Sequence, residues 1–107
     1  MTLPGLMQPT PLTLHSVFER MRTIYADGEV VDSGNGVRTT YGALAERVAR
    51  LCTVLTDELG VRPGDRVASY SWNSAAHFEL YWAVPLVGAV LHTVNIRLFA
   101  DQVAYIV

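Results

Sequence analysis

A chain of 107 residues suffices for one small domain with a single core. Half of its residues are apolar and 17% are charged, which excludes a disordered chain. The net charge of −2 leaves no basic footprint for nucleic acid or an anionic membrane, and all eight basic residues are arginine, so no lysine is available to catalysis or to a phosphate.

Residues 1–12 carry Pro4, Pro9 and Pro11 and read as an extended arm. With neither a basic stretch nor a long apolar core, they are not expected to be a secretory signal. Thr13 is placed to cap a first helix over 14–26, with Leu14, Val17, Phe18, Met21 and Tyr25 on one face. The runs "EVVD" (29–32) and "VRTT" (37–40) flank "SGNG" and predict a small hairpin. Gly34 and Gly36 are a weak phosphate-cradle candidate; no helix start follows directly, so a turn is the better reading.

A second helix is expected over 41–59, because Leu44, Val48, Leu51, Leu55 and Leu59 recur at helical spacing. Glu46 and Arg50 are spaced for a solvent-side ion pair. Cys52, the single cysteine, excludes an internal disulfide; it reads as a buried thiol in a reducing compartment, and the chain as cytoplasmic. Gly60 is placed to close the helix, and "RPGDR" (62–66) to make a tight turn with Gly64 at positive φ.

The strand "VASYS" (67–71) leads to the most apolar part of the chain. Asn73 is placed to cap a helix over 74–88 that is apolar on every side apart from His77 and Glu79, and so should be buried all round. Pro85 and Gly88 interrupt it before the roughly 20 residues that a membrane span needs. A kink is expected at Pro85, which cannot donate to the carbonyl of Tyr81. A second strand over 90–94 and a helix over 101–106 complete the order. Strand, helix, strand with short links implies a βαβ unit whose two strands are parallel.

No chemistry motif accompanies this frame. There is no P-loop and no G-x-G-x-x-G after the strand at 67–71. His15, His77 and His92 lie in three separate elements without metal-ligand spacing. His92 and Asn95 stand where a strand ends; for His92 a structural hydrogen bond is the stronger reading and a ligand contact the weaker. No catalytic, cofactor-binding or metal residue is assigned.

Taken together, "TTYGALAERVARL", "GVRPGDRVASYSWN", "AVPLVGAVLHTVNIRL" and "QVAYIV", in that order and spacing, resemble the N-terminal region of the adenylate-forming (AMP-binding) acyl-CoA synthetases. The match is close over 39–107 and loose over 13–38, and its "HTVNIRL" form is similar to ligases of medium- and long-chain fatty acids. One departure is Ala43, where relatives often carry Glu or Gln to complete a capping box with Thr40.

The resemblance implies an α/β fragment of a large N-terminal domain, with residues 13–107 a partial domain that stops short. It implies ATP, Mg and coenzyme A for the intact enzyme, which makes an acyl-adenylate and then a CoA thioester from a fatty acid. The family's phosphate loop, acidic metal site and catalytic lysine have no match here, so the chain itself is expected to be incomplete and to bind none of these cofactors. Its apolar surplus implies a partner, either the rest of the enzyme or a second copy. The alternative is a self-standing binding or oligomerisation module built from the same unit.

Overall fold

A computed structural model describes residues 5–107, so the first four residues of the expected arm lie outside it. Helix α1 spans Leu14–Thr23, strands β1 and β2 span Glu29–Val31 and Arg38–Thr40, and helix α2 spans Tyr41–Thr53 and runs on as a π-helical segment, Val54–Glu58. Strand β3 (Arg66–Ser69), helix α3 (Ala75–Leu86), strand β4 (Val90–Thr93) and helix α4 (Ala100–Ile106) follow. The expected α/β frame is present. β1 and β2 pair antiparallel, and β3 and β4 pair parallel with Arg66 opposite Val90 and Ser69 opposite Thr93.

The local signals are partly borne out. Gly36, Gly60, Gly64 and Gly88 all take positive φ. The "SGNG" turn satisfies its own backbone: Gly36 N–H donates to the Asp32 carbonyl and Gly34 N–H to the Asp32 carboxylate. Thr40 caps α2 by accepting from Ala43 N–H.

Three expected contacts are corrected. Thr13 stands at the N-cap of α1 but its hydroxyl makes no capping bond; Ser16 donates back to its carbonyl instead. Ser74, one position after Asn73, caps α3 by accepting from His77 N–H. Glu46 and Arg50 do not pair; the neighbouring Arg47 turns to Glu79 of α3.

The first two helices depart from expectation in different ways. α1 stops at Thr23, where Ile24 and Tyr25 N–H both return to the Arg20 carbonyl. α2 keeps its length but changes pitch. In the π-helical segment the Leu59 N–H bonds to the Val54 carbonyl, five residues back, so the 3.6-residue period lapses. Leu44, Val48 and Leu55 therefore face the core, whereas Leu59, the last member of the stripe, points outward at 68% exposure.

α3 lies in the middle of the molecule. Ala83 and Val84 have no exposed surface, matching Val48 of α2, and Trp82 meets Phe18 of α1 with ring centroids 5.8 Å apart. Burial all round was expected; it holds toward α2, α1 and the sheet, while Tyr81 is left 44% exposed. The two polar residues are among the buried ones. Glu79 receives a two-pronged Arg47 at 2.6 and 3.4 Å, and His77 meets Ser69. Pro85 stands inside the last turn of α3, where it cannot donate to the Tyr81 carbonyl, and the helix ends at Leu86. Cys52 is only partly buried; its thiol lies 3.7 Å from the Ala83 carbonyl, and burial pushes its pKa up.

Two fasteners organise the frame. At the start of the parallel strands, Gly64 N–H donates to the Gly88 carbonyl and Val90 N–H to the Asp65 carbonyl. A Cβ on Gly88 would come within 3.1 Å of Pro63, at a φ of 80° that L residues avoid. The other fastener is the Asp32 carboxylate, which accepts from Gly34 N–H in its own turn and from Ala75 N–H at the start of α3, both at 2.9 Å.

Gly88→Ala is expected to cost about 1–2 kcal/mol from its backbone conformation and more from the Pro63 contact. Gly36→Ala has open space around its Cβ and should cost less. Urea unfolding of the two variants checks the order. The Ala75 amide, followed by the Gly34 amide, holds the Asp32 pKa below the ordinary carboxylate value. Its contribution is therefore complete above that ordinary value and is lost as pH falls through the lowered one. Asp32→Asn should flatten the acid limb of the stability–pH curve, and an NMR titration should find the Ala75 amide shifting with the Asp32 carboxyl; a pH-independent Ala75 amide contradicts the assignment.

Candidate functional site

In open α/β sheets, ligands settle outside the carboxyl ends of parallel strands. There the chain forms a cleft of about 340 Å³, lined by Ser71, Trp72 and Asn73 after β3, His77 and Tyr81 of α3, Thr93 at the end of β4 and residues 94–97 after it. Its walls are held by backbone economy. Val94 N–H donates to the Ser69 carbonyl at 2.8 Å, extending the ladder one residue past β4. The Tyr70 hydroxyl donates to the Ile96 carbonyl at 3.3 Å, and the Asn95 side chain accepts from Arg97 N–H at 2.9 Å to shape the turn.

The floor is polar. Ser69 Oγ and His77 Nε2 stand 3.0 Å apart, and the imidazole stacks on Tyr81 with centroids 5.1 Å apart. The pair has the spacing of a nucleophile and its base. Ser69 is only 5% exposed, however, and His77 Nδ1 has no partner among the described residues, so no third group orients the ring. As built, the pair seals the cleft floor and is not arranged for acyl transfer. Arg97 is the one charged residue in the lining; its guanidinium lies 6.0 Å from the Trp72 ring centroid. A guanidinium over an indole, with hydroxyls and amides and no carboxylate nearby, suits an anionic or planar polar group.

Of the residues singled out from sequence, Asn95 builds the rim of this cleft and His92 does not line it. His92 sits inside β4 opposite Ala68, and its side chain makes no hydrogen bond among the described residues, so the expected structural bond is not found. His77 is the histidine of the cleft. Its signal was available in outline: it lies three residues after Ser74 and four before Tyr81, which turns capping residue, imidazole and phenol to one side of α3.

A family model described as AMP-binding enzyme matches residues 18–107. The chain belongs to this family. The long-chain-fatty-acid–CoA ligase of Thermus thermophilus is 42% identical over 106 residues, covering 96% of this chain and 19% of the relative. The 3-methylmercaptopropionyl-CoA ligase of Ruegeria lacuscaerulensis is 35% identical, covering 96% and 20%. Among solved structures, the N-terminal domain of FACL13 from Mycobacterium tuberculosis superposes with a TM-score of 0.81 at 30% identity, covering 88% of this chain and 24% of that one. The chain thus spans about a fifth of the length of the curated relatives it matches.

At the two turns where backbone amides could approach a nucleotide phosphate, the donors named here are already engaged. The glycine turn at 33–36 is already filled by its own bonds and carries the Asp32 carboxylate, which repels phosphate. At the start of α3, the Ala75 and His77 amides are taken by Asp32 and Ser74. Among the described residues no group of three His, Cys, Asp or Glu side chains converges to hold a metal ion.

The floor pair makes a stability prediction. Ser69→Ala strands a buried imidazole nitrogen and should cost about 1–3 kcal/mol. Adding His77→Phe removes the stranded group and should restore part of the loss. Urea unfolding of the single and double variants decides; equal or greater loss in the double variant contradicts a purely sealing role.

Proposed function

We propose that this chain is the front part of an ATP-dependent, AMP-forming ligase that joins medium- or long-chain fatty acids to coenzyme A. The observation that supports the reading best is the superposition on the FACL13 N-terminal domain over 88% of the chain. The fatty-acid preference leans on the Thermus relative and on the "HTVNIRL" segment; the Ruegeria relatives, which act by name on a sulfur-containing acid, match nearly as well.

In this reading residues 13–107 are a partial domain preceded by an arm over 1–12, and the chemistry lies in residues that this chain does not carry. ATP, Mg and coenzyme A, when bound to the whole enzyme, supply adenylation and thioester transfer. The residues here contribute framework: α3 as a buried strut, and an Arg97-bearing cleft open to a polar group. Partners of the chain are the remainder of the enzyme or a second copy, because Leu59, Trp72, Phe99 and Tyr105 stay more than two-thirds exposed. A cytoplasmic setting agrees with its single, unpaired thiol. No helix among the described residues is long and apolar enough to cross a membrane. A self-standing module remains the competing idea and gains no support from these matches.

The test has two arms. The 107-residue chain, given ATP, Mg, coenzyme A and acids of eight to sixteen carbons, should release no pyrophosphate above background and show no heat of ATP binding. The complete reading frame that contains it should form AMP and acyl-CoA from the same acids. Turnover by the isolated chain would place the chemistry here and overturn the reading; so would a purified, folded product of the complete frame that is inactive on every acid.

A further inference from the structure

Helices α1, α2 and α3 leave between them a groove of about 330 Å³, at the lower end of the ~300–1,000 Å³ of small-molecule sites. Its walls are Val17, Met21, Tyr25, Tyr41, Phe78 and Trp82, and Arg20 is the one charged residue that lines it. The walls are in place without a ligand. Tyr41 N–H donates to the Gly28 carbonyl at 2.9 Å, and the Tyr41 ring lies so close that a Cβ on Gly28 would come within 2.8 Å of it. Phe78 meets Trp82 edge-on with centroids 6.2 Å apart, and Phe18 meets the same indole at 5.8 Å. A preformed apolar wall loses little freedom when it is covered.

Arg20 is the exception in this lining, and its charge is unanswered. Glu19, its neighbour in sequence, is committed to Arg22 at 2.6 Å. Among the described residues the Arg20 guanidinium makes no ion pair and no side-chain hydrogen bond. It lies 5.9 Å from the Tyr25 ring centroid. A guanidinium over an arene keeps N–H donors for an anion, and it loses water more readily than an ammonium.

We propose that the groove binds a single-chain amphiphile with one anionic head. Its hydrocarbon lies along Tyr41, Phe78 and Trp82, and its carboxylate or sulfate pairs with Arg20. The charge decides the class. A cationic head is repelled by Arg20, a neutral one leaves the guanidinium unanswered, and a polyanion brings charges that the apolar walls cannot pair. The lining has no lysine, histidine, cysteine or carboxylate, so an acid held here is bound as an effector and not turned over. Binding at this groove needs neither ATP nor coenzyme A and does not rest on the ligase reading.

The test titrates the 107-residue chain with octanoate, octyl sulfate, octanol and octyltrimethylammonium, each below its micellar concentration. A Trp72→Phe background leaves Trp82 as the only fluorescent indole. Octanoate and octyl sulfate should change its emission saturably, the tighter of the two naming the preferred head. Octanol and the ammonium should bind at least tenfold more weakly. Along hexanoate, octanoate and decanoate, affinity should rise by up to about tenfold for each pair of methylenes buried. Arg20→Met keeps an apolar stem and should abolish the preference for the anions over octanol. Val17→Glu sets a like charge in the wall and should weaken both anions at least tenfold. Both substitutions are at exposed positions, and circular dichroism and melting should be unchanged. Equal affinity for octanoate and octanol overturns the proposal, as does an Arg20→Met variant that still prefers the anions. Failure of every probe to bind, by emission and by equilibrium dialysis, overturns it too. None of these outcomes bears on the ligase reading, which the pyrophosphate assay tests separately.

Discussion

The packing of α2 against α3 is the contact on which the rest depends. Val48, Ala83 and Val84 have no exposed surface, and Leu44 beside them has almost none. Burial of side chains of this size contributes roughly 1.5–3 kcal/mol each, so this small cluster outweighs any single polar contact in the chain. α1 is held by laying Phe18 and Met21 on that pair, and β3 and β4 by flanking α3 at its two ends in sequence.

Around this apolar centre, α3 carries its polar residues inward and satisfies them unequally. Glu79 finds a guanidinium from α2 whose far side remains in water, an arrangement in which desolvation of Arg47 stays small. His77 finds only a serine, leaving Nδ1 unpaired among the described residues. A helix that is apolar on most faces and polar at two buried points is an interior element of a larger structure, not an amphipathic surface helix. That agrees with a chain spanning about a fifth of its relatives.

Much of the frame was legible because local chemistry dictates it. The Leu44–Leu55 stripe, the glycines at positive φ and the parallel pairing of β3 and β4 follow from spacing, backbone sterics and connection length. What was not legible depended on tertiary contact. In α3, apolar residues on all faces erase the periodic signal, so nothing in sequence says that Glu79 faces Arg47 while Tyr81 faces out. The Glu46–Arg50 pair is favoured by helix spacing alone, yet Arg47 is drawn to a carboxylate 32 positions away. The same holds for the cleft: His92 attracted notice by ending a strand, whereas His77 earned its place by proximity to Ser69, which only the folded βα unit creates.

The two ends of the parallel pair are built on different principles. Where the strands begin, they are joined by main-chain bonds from Gly64 and Val90 and by the close approach of Pro63 to Gly88. That junction tolerates little change in backbone conformation but reads almost no side-chain identity beyond its glycines and proline. Where the strands finish, one main-chain bond from Val94 to Ser69 closes the ladder, and the turns beyond it are shaped by Tyr70, Asn95 and a loose Arg97–Trp72 stack. The starting end of the βαβ unit therefore depends on backbone conformation, and the finishing end on which side chains it carries.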